Sequence, residues 1–325
     1  MLVSVVALVV GFALLVWSAD RFIFGAAQTA VHLKVPPILI GLTIVSIGTS
    51  APEALVSLSA AMQGNPGLAI GNVFGSNIAN IALVLGVTVL VAPLAVQSVT
   101  LRRELPILLL INIGVIALMF DGVLGFVDGV ILLVAMVVVM TILVKLSRTT
   151  SPEDPMKAEF EEEITEQGTM AKALFWLIVG LVILVASAKL LVWGAVNIAE
   201  ALGVSDLVIG LTIVAIGTSL PELAATITGA LKGEDDLAIG NIVGSNIFNF
   251  LLVLPMPGLV APGPFAPEVL YRDAPITLAL TVALFLMAIG LRKPGYITRW
   301  EGGLLFACFI AYMVFLYYQS IMVVA

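Results

Sequence analysis

Gly48-Thr49-Ser50-Ala51-Pro52-Glu53 returns 169 residues later as Gly217-Thr218-Ser219-Leu220-Pro221-Glu222. Each copy sets a carboxylate and two hydroxyls beside a helix-breaking Gly and Pro, inside a segment apolar enough to lie in a bilayer. An ionisable side chain at that depth is costly to hold, so its presence points to a functional site. The duplication extends well beyond the hexapeptide. Residues 41–86 align with 210–255 without a gap, and 26 of the 46 positions are identical. The same register reaches back weakly, pairing Ser18-Ala19 with Ser187-Ala188 and Gly25-Ala26 with Gly194-Ala195. The identities are concentrated in Gly, Thr, Ser, Pro, Glu and Asn, whereas duplication for packing alone would preserve apolar residues.

Around these motifs the chain is 325 residues long, 61% hydrophobic and only 11% charged, with a mean hydropathy of +1.18. Apolar stretches long enough for a hydrocarbon core, which needs roughly 20 helical residues, recur from end to end. They lack the alternation of barrel strands. The fold class is therefore an all-α polytopic membrane protein. Ten spans are expected, near 2–28, 37–62, 68–92, 104–120, 123–146, 170–199, 205–231, 237–260, 274–291 and 300–322. The first has neither a basic leader nor a small-residue cleavage site, and reads as a permanent helix, not a signal peptide. Five spans separate equivalent points, and five is odd. The halves 1–146 and 170–325 must then cross in opposite directions, as inverted-topology repeats of five helices each.

Between the halves, residues 147–169 contain Pro152, Pro155 and seven acidic residues against Lys157 and Arg148, the composition of a polar linker. In this layout eleven Lys and Arg fall on the linker's side and Arg272 alone on the other, leaving Arg21 and Lys189 within spans. By the positive-inside rule the linker is cytoplasmic and both termini lie opposite, in a plasma membrane of bacterial inner-membrane type. His32 reads as a solvated side chain in the first polar connection, and the lone Cys308 as a packed thiol without a disulfide partner. Asp20 and Lys189 are equivalent under the 169-residue offset; they either help hold the first and sixth spans together or each snorkel separately to an interface. The run Gly233-Glu234-Asp235-Asp236 reads as a solvated loop.

The chemistry lies in two motifs per half. Pro52 has no N–H and clashes with the carbonyl four residues back, so carbonyls near Ser46 to Gly48 are expected to lose helical partners and become available to a cation. Thr49 and Ser50 lie four and three residues before Glu53, on one helical face; Ala215, Thr218, Ser219 and Glu222 repeat the arrangement. The second motif runs Gly71-Asn72 to Asn80, with its twin from Gly240-Asn241 to Asn249. Asn72, Ser76 and Asn80 form a polar stripe, and Ser245 and Asn249 occupy the equivalent places. Ser76 and Asn80 read as cation ligands. Asn72 and Asn77 divide between ligation and interhelical hydrogen bonding, and Gly71 and Gly75 make a small-xxx-small notch for a close helix. Carboxylates, hydroxyls, amides and carbonyls are hard donors, suited to Ca2+ or Na+ and unsuited to Zn2+. Two Glu neutralise one Ca2+ or two monovalent cations, a physical basis for antiport. The partners are inorganic cations and the lipid bilayer. No cofactor, nucleic acid or protein partner is inferred.

These motif pairs resemble the α-repeats of the cation/calcium exchanger superfamily, particularly its prokaryotic sodium/calcium exchanger branch. The resemblance covers both repeats and the central linker. It implies a Na+-driven Ca2+ antiporter with alternating access, in which the first and sixth helices slide as a pair. It also implies ligands at Ser46 and Ala215 through their carbonyls, and at Thr49, Ser50, Glu53, Ser76, Asn80, Thr218, Ser219, Glu222, Ser245 and Asn249. Many members of the family carry Asp in place of Asn80 or Asn249; here both are Asn, which removes a carboxylate and leaves K+ involvement open. The competing transport reading is a Ca2+/H+ antiporter that protonates the same Glu pair. A channel is separated from both by its lack of counter-ion dependence. An intramembrane hydrolase is disfavoured, because nothing marks a nucleophile and the carboxylates occupy equivalent environments. The chain is not read as an enzyme.

Overall fold

In lipid a backbone has to satisfy its own hydrogen bonds, and the long apolar segments do so as helices. The computed structural model of the protein describes residues 2–33, 35, 37–96, 101–148, 169–202, 215–289 and 295–324. The acidic linker, apart from its ends, and residues 210–214 of the second motif lie outside the described residues.

Helix α1 spans Leu2–Leu33, and α2 (Gly41–Thr49) and α3 (Ala51–Met62) meet at a 52° bend. Then come α4 (Pro66–Val91), α5 (Leu101–Leu118) and α6 (Phe126–Arg148). The second half holds α7 (Met170–Ala201), α8 (Ala215–Thr218), α9 (Leu220–Leu231), α10 (Asp235–Val260), α11 (Val269–Ala288) and α12 (Arg299–Val324). Among the described residues seven helices are long and apolar enough to cross a membrane, or eight if the bent pair counts as one span. The expected span 104–120 corresponds to α5, Leu101–Leu118, and the expected span 205–231 begins outside the described residues, with Leu220–Leu231 as its described end.

Burial sorts these helices. The most apolar window of α10 is 94% buried and that of α4 83%, against 33% for α1 and 17% for α12. The motif helices α4 and α10 thus form the centre, and α1, α6, α7 and α12 present their apolar faces outward. Phe74 of α4 stacks edge-on against Phe250 of α10 at 5.5 Å within one continuous core.

Outside that core α1 and α7 pack along each other. Gly25 abuts Ala173 and Leu177, and Gly194 abuts Ser4 and Leu8; 4 + 169 = 173 and 8 + 169 = 177, so the contacts mirror one another. Gly11 faces Leu191 while Gly25 faces Leu177, so the two helices run antiparallel. Asn112 Nδ2 donates to Thr281 Oγ1 at 3.1 Å, and these residues are themselves 169 apart. Short ladders tie connections between the halves, β1 (Leu94–Ala95) with β4 (Tyr296–Ile297) and β2 (Val123–Leu124) with β3 (Gly263–Pro264).

Four expectations are corrected. Cys308 is exposed on α12 and faces outward instead of being packed. His32 lies in the last turn of α1, half-buried, because that helix runs past the expected boundary. Asp235 and Asp236 open α10 instead of forming a solvated loop, and Asp235 Oδ2 accepts from the Ala95 N–H at 2.8 Å. Carboxylates in a first helical turn complement its dipole, which favours this start. Asp20 pairs with Lys232, not with Lys189, at 2.8 Å.

Candidate functional site

Gly48 and Pro52 do locally what their chemistry dictates. Ser50 interrupts the helix with φ −83° and ψ 5°, and Pro52 sits in the first turn of α3, where a missing N–H costs nothing. Ser219 has φ −88° and ψ 6°, with Pro221 in the first turn of α9. Glu53 and Glu222 therefore occupy the first turns of two helices whose positive ends point into the protein. Both are 1% exposed and lie within coulombic reach of each other.

The repeats interlock at this point. Ser50 Oγ donates to Glu222 Oε1 at 3.0 Å, and Thr49 Oγ1 donates to Asn241 Oδ1 at 3.1 Å. Ser46, Thr49, Ser50, Ser76, Asn80, Ser219, Ser245 and Asn249 are all buried, none more than 5% exposed. Thr218 is half-buried, and Ala215 begins α8 beside them in the chain. A buried polar atom without a partner is rare in a folded protein and marks a place where something else supplies the partner. Glu53 Oε2, Glu222 Oε2, Asn80 Oδ1, Ser219 Oγ, Ser245 Oγ and both polar atoms of Asn249 are of this kind. The concentration of orphaned oxygens on the motif residues is the chemistry expected around a desolvated cation.

Two details depart from the sequence reading. The Ser46 carbonyl is not freed by Pro52, because the Ser50 N–H reaches it at 3.0 Å and Thr49 Oγ1 donates to it at 3.5 Å. The Ser46 hydroxyl turns back to the Leu42 carbonyl at 2.8 Å. In the second half the Ser219 N–H goes to the Ile216 carbonyl at 3.1 Å. Asn72 acts as an interhelical tie, its Nδ2 donating to Ser57 Oγ at 2.9 Å and the Glu53 carbonyl at 3.2 Å. Asn241 Nδ2 reaches Thr226 Oγ1 at 3.0 Å in the mirrored contact. Ser57 and Thr226 were missed as partners, although 57 + 169 = 226 and both carry a hydroxyl. Asn77 is fully buried with neither polar side-chain atom partnered.

Asn80 and Asn249 each begin a π-helical stretch, Asn80–Leu85 and Asn249–Val253. A π turn offsets the hydrogen-bond register and recurs at functional sites. The notch expected at Gly71 and Gly75 receives no helix, since a Cβ at either would meet nothing within 4 Å; the equivalent Gly240 and Gly244 receive the first half's motif instead. A Cβ at Gly244 would lie 2.5 Å from Ser46 Oγ and 2.6 Å from the Leu42 carbonyl oxygen. Beyond the site, Glu104 is fully buried with both carboxylate oxygens unpartnered, and its equivalent Asp273 (104 + 169 = 273) is gripped by Arg272 and Tyr312.

A helical membrane protein with a buried, oxygen-lined centre shared by two repeats has the construction of a cation transporter. The chain belongs to the sodium/calcium exchanger protein family, whose model matches residues 3–145 and 172–318. It is 47% identical over 317 residues to the putative antiporter CaxA of Alkalimonas amylolytica, covering 98% of this chain and 99% of that one. Identity to the sodium/calcium exchanger MaX1 of Methanosarcina acetivorans is 32% over 350 residues, covering 97% and 99%. The inner membrane protein YrbG of Escherichia coli is 40% identical over 322 residues, covering 98% of each. Among solved structures, the sodium-calcium exchanger NCX_Mj soaked with 10 mM Na+ and zero Ca2+ superposes with a TM-score of 0.83 at 32% identity, over 96% of this chain and 98% of that one.

Proposed function

We propose that the protein is a secondary active antiporter that exchanges Ca2+ for Na+ by alternating access, built as ten spans in two inverted five-helix repeats. The antiparallel α1 and α7 and their mirrored glycine contacts support the inverted arrangement. The proposed ligands are Glu53, Glu222, Thr49, Ser50, Ser76, Asn80, Thr218, Ser219, Ser245 and Asn249, with the carbonyls of Ser46 and Ala215. The observation that carries the reading is the Ser50–Glu222 hydrogen bond across the repeats at 3.0 Å, set among unpartnered oxygens on both Glu side chains. One Ca2+ or two Na+ balance the two carboxylates, so loading one ion excludes the other.

The linker is assigned to the cytoplasm of an inner-type membrane by its side's excess of Lys and Arg. The ladders support two distinct faces: residues 94–95 meet 296–297 at one end, and 123–124 meet 263–264 at the other.

The test is uptake of radiolabelled Ca2+ by proteoliposomes under an outward Na+ gradient, a K+ gradient or a pH gradient. Na+-driven uptake is expected. Uptake that follows only the pH gradient would replace this reading with Ca2+/H+ exchange at the same Glu pair. Glu53→Gln and Glu222→Gln are each expected to lower the rate by roughly 100-fold or more, the scale of losing one charge from a buried site. Substantial Na+-driven flux in both variants would remove the assignment of the site.

A further inference from the structure

The clefts on the two sides of the site are unequal. Along α9, α1 lies against it: Ala225 is 0% exposed and shares a buried cluster with Ala19, Phe22 and Ile23 of α1. The equivalent of Ala225 in the first repeat is Val56 (56 + 169 = 225), and it remains 38% exposed. Val56 lines a cavity of about 550 Å3 between α3 and α7 that reaches Pro52, Gly217, Thr218 and Pro221. A second cavity, of about 610 Å3, lies between α1, α7 and α9, but Phe12, Leu15, Leu220 and Leu223 line it and it does not reach Pro52, Thr218 or Pro221. The cleft that leads to the motif residues is therefore open at the α3 end and sealed by Ala19 and Ala225 at the α9 end.

The shut end carries an ion pair. Lys232 Nζ, just past α9, lies 2.8 Å from Asp20 Oδ1 on α1 and donates to the Asp20 backbone carbonyl at 3.3 Å. Arg21 flanks it, with Nε 3.6 Å from Asp20 Oδ2 and its guanidinium 5.2 Å above the Trp176 ring of α7. Under the repeat offset Asp20 maps to Lys189 (20 + 169) and Lys232 to Gln63 (63 + 169). Lys189 on α7 and Gln63 at the end of α3 both line the open cavity, from opposite walls.

We propose that Asp20–Lys232 is a latch that holds α1 shut on α9, and that Lys189 and Gln63 are its weaker counterpart, meeting when α7 closes on α3. The inference rests on the alternating-access reading above. An inverted repeat generates its second conformation by exchanging the arrangements of the two halves. The latch therefore exists in one conformation and its counterpart in the other. The first joins opposite full charges; the second joins an ammonium to a neutral amide. That inequality biases the protein, without ions, toward the conformation open at the α3 end. The Asp20 and Lys232 side chains are 44% and 32% exposed, so the bias has the size of a surface ion pair, about 2- to 5-fold in the population ratio.

Thiol labelling in micelles tests this. In a Cys308→Ala background, Val56→Cys reports the α3 end and Ala225→Cys the α9 end. Asp20→Asn is expected to slow maleimide labelling of the first probe and to speed labelling of the second, about 2- to 5-fold. Gln63→Glu, which gives Lys189 a charged partner, is expected to shift both probes in the same direction without touching the latch. Swapping the charges, Asp20→Lys with Lys232→Asp, restores the starting rates. Labelling that responds to Ca2+ and Na+ but ignores Asp20→Asn and Gln63→Glu would overturn the latch alone. Labelling that no ion alters would overturn alternating access itself.

Discussion

The Ser50 hydroxyl has one proton, and it goes to Glu222; the Ser219 hydroxyl, its equivalent, has no partner. Chemically identical residues thus start from different positions. Ser50 orients the opposite carboxylate, while Ser219 waits for a ligand. Ser50→Ala removes a hydrogen bond to a charged group, about 1.5–3 kcal/mol, and is expected to raise the Ca2+ concentration for half-maximal uptake by about tenfold or more. Ser219→Ala, measured in the same concentration series, is expected to shift it less. Equal shifts would mean that the Ser50–Glu222 contact has no separate role. The ligand-bearing residues were legible in the sequence because carboxylates and hydroxyls in an apolar segment stand out. Their partners were not. Asp20 meets Lys232 across 212 residues, a proximity that only the fold creates. Cys308 was misplaced for a different reason: lipid and protein core are equally apolar, so hydropathy alone does not say which one a helix face meets.

At the scale of elements, the breaks were legible and their consequences only in part. Gly and Pro announced the 52° bend between α2 and α3, but not the π-helical stretches at Gly41–Val45, Asn80–Leu85 and Asn249–Val253, which no residue type signals. The small-residue notch expected at Gly71 and Gly75 meets nothing within 4 Å; the close approach lies at the equivalent Gly244, and its occupant is the segment that carries the first repeat's ligands. Gly244→Ala would press a Cβ to within 2.6 Å of the Leu42 carbonyl oxygen and 2.7 Å of Leu42 Cα, so α2 itself has to move. Overpacking of this kind costs about 1–3 kcal/mol. The variant is expected to melt lower in a thermal-shift assay and to lose Ca2+ uptake through displacement of Ser46 and Thr49. Gly114→Ala on α5 has nothing within 4 Å and is the control, with a melting temperature unchanged or higher. A Gly244→Ala protein with wild-type stability and flux would show that the notch has slack and that α2 is not held by it.

The whole molecule is two halves whose contacts largely repeat at an offset of 169, and the departures from that repetition define its state. Ser57–Asn72 matches Thr226–Asn241, and Gly25–Leu177 matches Gly194–Leu8. The cavity between α3 and α7 reaches Thr218 and both motif prolines, whereas the one between α1 and α9 is lined almost wholly by apolar side chains and reaches none of them. The symmetric contacts include the whole α1–α7 seam, lined by Gly11, Gly25, Gly180 and Gly194 at closest approach. Contacts that both conformations share need not break during transport, whereas contacts found on one side only have to. Helices α1 and α7 should accordingly travel as one body against the α4–α10 core, and a covalent link within that body should leave exchange intact. A link from the body to the core should arrest it. In a Cys308→Ala background, oxidising a Gly11→Cys, Leu191→Cys pair across the seam is expected to preserve Na+-driven Ca2+ uptake. Bridging an Asp20→Cys, Lys232→Cys pair with a short bis-methanethiosulfonate is expected to abolish it until a reductant is added. Uptake blocked by the seam link would mean that α1 and α7 slide past each other, and uptake surviving the second link would mean that α1 never leaves α9.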